Sequence, residues 1–199
     1  MFSAGESSPA SGPVRSAVLT WRAPNAPRME SVRVQVNGQR IKASGRIIGA
    51  DCPDHAAFSA SYDLVTTESG VTQRLSLRTS VAGGERFISI NRDGEGYWMI
   101  DTGASHQRSA FDGALDVDVV LSPFFNTLPI RRYRLHEAAE QREVPVVYVT
   151  MPDLAVHQAS LTYSPTVGGL QVRSPVSEAL VTVDADGFIR DYAGLAERI

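Results

Sequence analysis

Cysteine is nearly missing from this chain: the 199 residues contain one, Cys52, so an internal disulfide is excluded. Lysine is equally scarce. Lys42 is the sole lysine among 19 basic residues, which face 22 acidic ones for a formal net charge of −3. Apart from Arg131, Arg132 and Arg134 the arginines are scattered, so the basic field of a nucleic-acid binder is missing and no nucleic-acid partner is expected. Long apolar runs are also lacking. Residues 1–14 offer Ser, Gly and Pro with no apolar stretch, so neither a secretory signal nor a membrane segment is expected there, and the expected location is cytoplasmic. His55, His106, His136 and His157 lie far apart with no partner at metal-ligand spacing. There is no Gly-x-Ser-x-Gly elbow and no Gly-rich loop ending in Lys, so no cofactor is expected.

What remains is an ordinary composition, 43% apolar and 21% charged, enough for one sizeable core. The dominant pattern is period-2 alternation broken by turn residues. Val32, Val34 and Val36 share one face of a strand over 31–36, and Asn37-Gly38 signals a tight hairpin into 40–43. Alternation recurs over 58–65, 71–80, 87–90, 97–100, 144–150, 155–163, 170–173 and 179–183. Glu68-Ser69-Gly70, Gly83-Gly84, Asp93-Gly94, Gly168-Gly169 and Asp186-Gly187 mark turns between them. Strands at this spacing indicate a mainly β roll, barrel or sandwich. Residues 136–142 read as a loop because they lack an apolar face, and 193–199 as a terminal turn.

One run stands apart. Alternation over Asp116-Val117-Asp118-Val119-Val120-Leu121 leads into Ser122-Pro123, read as a helix cap followed by proline at the first helical position. Phe124, Phe125, Leu128 and Leu135 then fall on one apolar face, with Arg131 and Arg132 near the negative end of the helix. Pro129 predicts a kink or split, because its ring crowds the carbonyl of Phe125.

The segment Asp116-x-Asp118, Ser122-Pro123-Phe124 and Asn126-Thr127-Leu128-Pro129-Ile130-Arg131-Arg132 closely resembles a family of bacterial domains known as "putative glycolipid-binding". Trp21-Arg22, Gly94-Glu95-Gly96-Tyr97-Trp98, Met151-Pro152-Asp153-Leu154 and the stretch 183–192 match in the same order. Ala114 departs from the family pattern, where a Cys is common, as does Ala193, where Pro usually follows Tyr. The resemblance spans about residues 18–199 and implies a spiral β-roll, a many-stranded antiparallel sheet wrapped around a single central helix. Residues 1–17 would then be a flexible N-terminal segment and 18–199 the single domain.

The implied function is non-enzymatic binding of an amphipathic ligand, a glycolipid by class, between the curved sheet and the helix. Arg131 and Arg132 would hold phosphate or sugar hydroxyls, Phe124, Phe125 and Leu128 would line a slot for acyl chains, and Asn126, Trp21 and Arg22 would complete the site. The competing architectural role has Asp116 and Asp118 pairing with Arg131 or Arg132 to neutralise buried charge, with Asn126 bonding the strands. On that alternative the domain is a structural or protein-interaction module with a closed core. A third option rests on Ile100-Asp101-Thr102-Gly103-Ala104, the form of an aspartic-protease loop. It lacks a second Asp-Thr-Gly, and an Asx-type turn explains the segment more simply. Asp184-Ala185-Asp186-Gly187 opens like a calcium loop but lacks the later oxygen ligands, so a hairpin turn is expected. Oligomeric state is not legible.

Overall fold

The computed structural model describes residues 13–53 and 55–199. Strict alternation in the sequence becomes strict alternation of buried and solvated side chains. β2 (Arg28–Asn37) and β3 (Arg40–Gly49) bury every second residue along their length. They are joined by a two-residue turn at Gly38-Gln39, one position later than the Asn37-Gly38 signal. Gly38 takes the first turn position with φ +58°, a conformation that favours glycine.

Among the described residues fifteen strands make one continuous sheet that does not close into a barrel, and 58% of those residues are strand. The remaining strands are β1 (Arg15–Arg22), β4 (Phe58–Thr66), β5 (Thr72–Val81), β6 (Gly84–Arg92), β7 (Trp98–Asp101), β8 (His106–Ser109), β9 (Asp116–Val119), β10 (Arg142–Val149), β11 (Val156–Thr166), β12 (Gly169–Arg173), β13 (Glu178–Val183), β14 (Ile189–Tyr192) and β15 (Ala196–Arg198). The sheet consists of two meanders, β1 to β8 and β9 to β15, joined where β15 pairs with β1. Every pairing is antiparallel except β9 with β10, so the sheet is mixed and not purely antiparallel. Residues 1–12 of the expected N-terminal segment lie outside the described residues, and Arg15, Ser16 and Ala17 are already paired with β2.

Among the described residues, the only helical material beyond a short 3-10 turn at Phe111–Gly113 follows β9. A 3-10 turn at Phe124–Asn126 runs into α1 (Thr127–Tyr133), and every residue from Ser122 to Ile130 is buried. The split expected from Pro129 falls before it, at the 3-10 to α transition. Pro129 therefore sits in the first turn of α1, where a missing N–H is tolerated. Ser122 does not cap this segment. No side chain caps either helical piece, and the Ser122 hydroxyl donates to Glu30 of β2 instead. Arg134, left-handed at φ 52°, ends α1: its N–H bonds to the Arg131 carbonyl and that of Leu135 to the Ile130 carbonyl. Leu135, read as part of the helical face, is buried just beyond this stop.

The sheet curves around this short helix, which touches both meanders. Phe124 and Phe125 pack against Tyr62 of β4, with ring centroids 6.0 and 5.0 Å away. On the other side Tyr163 of β11 donates to the Asn126 side-chain oxygen at 3.0 Å. Arg131 bridges the two meanders, donating to the carbonyls of Gly38 and Asp186.

Candidate functional site

Two polar clusters lie in the interior where β9 becomes helix. In the first, Glu30 accepts from the Tyr62 phenol at 2.6 Å and the Ser122 hydroxyl at 2.7 Å, both on the same carboxylate oxygen. Burial pushes the Glu30 carboxyl up to about 7, against the opposing pull of those two hydroxyls. Tyr62 is pushed well above the ordinary phenol range by burial and by the neighbouring Glu30. The cluster ties the strand-to-helix junction to the first meander.

The second cluster starts from β9, whose four residues are all buried, as expected of a strand in a parallel pair covered on both faces. Asp116 and Asp118 share a face. Asp116 is fully buried and paired with Arg132 of α1. Asp118 accepts from the Asn126 amide at 3.1 Å, and Asn126 is held in turn by Tyr163. Burial, with a smaller contribution from Asp116, raises the Asp118 carboxyl to about 7.

Asp118 and Asn126 also form the buried floor of a cavity of about 300 Å³. Apolar walls come from Val119, Leu161 and Ala179, and Tyr148 of β10 and Tyr192 of β14 also line the cavity. Burial, then the charge of Asp118, raises both phenols to about 12, so they stay neutral. The mouth is formed by Val176, Ser177, Glu178, Ala193 and Gly194, all exposed. The volume lies at the low end of the roughly 300–1,000 Å³ of small-molecule sites. A buried polar floor with apolar walls and a solvent-facing mouth can accept the polar end of an amphiphile.

A family model described as "Putative glycolipid-binding" matches residues 18–198. The chain belongs to that family. The same fold occurs in a crystal structure of a DUF1089 family protein from Pseudomonas aeruginosa, 24% identical, with a TM-score of 0.69 over 90% of this chain and 95% of that one. No curated protein matches the chain.

In this member of the family the expected site residues are dispersed. Of the eight, Asn126 alone lines the cavity. Phe124, Phe125 and Leu128 are core residues of the helix, at most 2% exposed. Arg132 is committed to Asp116, and Arg131 lies over the Phe188 ring at 4.8 Å, so the adjacent arginines diverge. Trp21 is buried with its indole N–H on the Ile189 carbonyl at 3.1 Å. Arg22, on the opposite face of β1, pairs with Glu197 and borders an open hollow with Met29 and Ile48. Asp101 accepts from the Gly103 N–H at 2.7 Å in an Asx turn on an exposed hairpin. Asp184 likewise closes its hairpin, accepting from the N–H groups of Asp186 and Phe188. Among the described residues, no group of three His, Cys, Asp or Glu is placed to hold a metal ion, and no helix is long and apolar enough to cross a membrane.

Sequence reasoning missed Glu30 and Tyr148 as site-building residues; Tyr192 was legible only as an aromatic suited either to the core or to a sugar face. Glu30 had a usable signal: it stands two residues before Val32 and so shares the inward face of Val32, Val34 and Val36. Tyr148 had none, because its place beside Asp118 depends on the parallel pairing of β9 with β10.

The raised carboxyls set the sign of a pH effect. Glu30 and Asp118 bind protons more tightly folded than unfolded, so their contribution to stability is full below about pH 4 and is lost as pH rises through about 7. The lowered carboxyls, Glu85, Asp93, Glu178 and Asp186, act in the opposite sense but at lower pH. The thermal midpoint is therefore expected to fall by several degrees between about pH 5 and about pH 7.5, and Asp118→Asn should flatten that fall. A midpoint that climbs over this window would contradict the assignment.

Proposed function

We propose that this domain holds an amphipathic ligand without transforming it, with the ligand's polar end on the Asp118–Asn126 floor and its apolar part against Val119, Leu161 and Ala179. The observation that carries this reading is the cavity itself: an opening to solvent that ends on buried polar groups. Membership of a family described as glycolipid-binding supports the same reading. The ligand class follows from the lining, which offers apolar walls to a chain and hydrogen-bonding groups to a head. Phe124, Phe125 and Leu128 contribute by holding the helix that presents Asn126, and Arg132 by neutralising Asp116 beside the floor.

Native mass spectrometry on protein purified without detergent, followed by lipid extraction, tests the proposal. The expected result is a releasable amphiphile in sub- to full stoichiometry. Val176→Trp should reduce its occupancy with the fold intact, because Val176 stands 70% exposed at the mouth. A clean apo mass that persists after incubation with total lipid extracts would replace this reading with that of a closed-core structural or interaction module.

A further inference from the structure

We propose that the cavity selects for positive charge: the head group it takes is a primary ammonium, held by Asp118 in a cavity that Tyr148 and Tyr192 also line. This deepens the preceding reading and rests on it. Asp118 is 6% exposed, and its one hydrogen-bonding side-chain partner among the described residues is the neutral amide of Asn126. No Lys, Arg or His is among the residues lining the cavity. The cations nearby are engaged elsewhere: Arg132 with Asp116, and Arg173 with Glu178 at the rim. A buried carboxylate without a countercharge is a costly arrangement that a bound cation relieves.

The shape of the donor requirement also fits. An ammonium carries three N–H donors and no acceptor. The carboxylate oxygen of Asp118 not bonded to Asn126 and the phenols of two lining tyrosines are three acceptors, and Tyr148 is the cross-strand partner of Asp118 in the β9–β10 pairing. Both phenols remain neutral because burial and the Asp118 charge oppose their ionisation. A phosphate would meet the Asp118 carboxylate with no Lys, Arg or His in the lining to receive it. A sugar would form hydrogen bonds but leave the carboxylate uncompensated.

Three eight-carbon amphiphiles with equal chains separate these cases: octylamine, octyl β-glucoside and octyl phosphate, each titrated below its micelle concentration and followed by calorimetry and amide chemical shifts. Octylamine is expected to bind at least roughly tenfold more tightly than either of the others. In Asp118→Asn that preference should vanish while the circular-dichroism spectrum stays unchanged. Should Asp118→Asn fail to fold, the wild-type protein still decides. Octylamine affinity should rise from about pH 5.5 to about pH 8 as Asp118 ionises, and glucoside affinity should not. The groups facing Asp118 do not reverse that sign. Tyr148, Tyr163 and Tyr192 are uncharged throughout, Arg132 stays charged, and any ionisation of Asp116 acts in the same direction. Glucoside binding equal to or tighter than octylamine, or an octylamine affinity indifferent to Asp118→Asn, overturns the charge selection and leaves the amphiphile reading standing. Failure of all three probes to bind overturns both.

Discussion

Gly45→Ala is expected to lose roughly 3–5 kcal/mol of stability, a large effect for one methyl group. The reason is space, because Gly45 lies in a regular strand and has none of the positive φ values found at turn glycines. A methyl at Gly45 would stand 2.1 Å from Cζ and 2.4 Å from the oxygen of Tyr62, its cross-strand partner. The Tyr62 ring cannot slide aside. Phe124 and Phe125 flank it, and its hydroxyl is bonded to Glu30 at 2.6 Å. Moving the ring both overpacks the core and removes a hydrogen bond from a buried carboxyl. Urea denaturation measures the loss. The double variant Gly45→Ala/Tyr62→Ala should be no less stable than Tyr62→Ala alone, since the clash goes with the ring. A Gly45→Ala protein within about 1 kcal/mol of wild type would show that the ring has room to move.

Arg132→Met should cost a comparable amount, roughly 3–5 kcal/mol, because it leaves Asp116 buried and without its cation. Asp116 is already strained in this respect: one of its two oxygens has no hydrogen-bond partner among the described residues. Replacing both groups, Arg132→Met with Asp116→Asn, should restore most of the loss, because the pair is removed together. Lowering the pH should also ease the single variant by protonating Asp116, whose carboxyl burial already pushes upward. Chemical denaturation of the two variants at two pH values provides the check. An Arg132→Met protein of wild-type stability that has lost ligand would instead assign Arg132 to a head group.

The strands were legible where one face is wet. β2 and β3 alternate fully, and so their faces could be read residue by residue. β1 was not legible, because its first four residues are all exposed and Val18 remains 67% exposed; the pattern that marks a half-buried strand starts only near Trp21. β15 is three residues long and too short to carry a period. At β9 the alternation was real, and the pairing of Asp116 with one of the adjacent arginines was legible as the architectural reading, but the covering of both faces was not. The helix was legible as an apolar segment, but Ser122 looked like a cap by its position before Pro123 and proved to be a partner of Glu30, far away in sequence. That is the general limit here. Arg131 and Arg132 are adjacent in sequence, yet their destinations are fixed by a carbonyl in the second meander and a carboxylate on β9. The cavity floor depends on a strand pairing, the parallel one, that no local pattern announces.

The seam between β1 and β15 bears on how the chain is made. Trp21 pairs with Arg198 and Arg22 with Glu197, and the sheet is continuous across its middle through these two pairs. During synthesis the first meander can be built strand by strand as it emerges, each new hairpin adding to the last. β1, destined for the centre of the finished sheet, meanwhile has one free edge. The Trp21 indole waits for Ile189, 168 residues later, and the edge waits for β15. An open edge is a template for pairing with another chain, and closing so long a loop is slow. The order of translation thus leaves this domain most vulnerable to aggregation just before its last strands leave the ribosome.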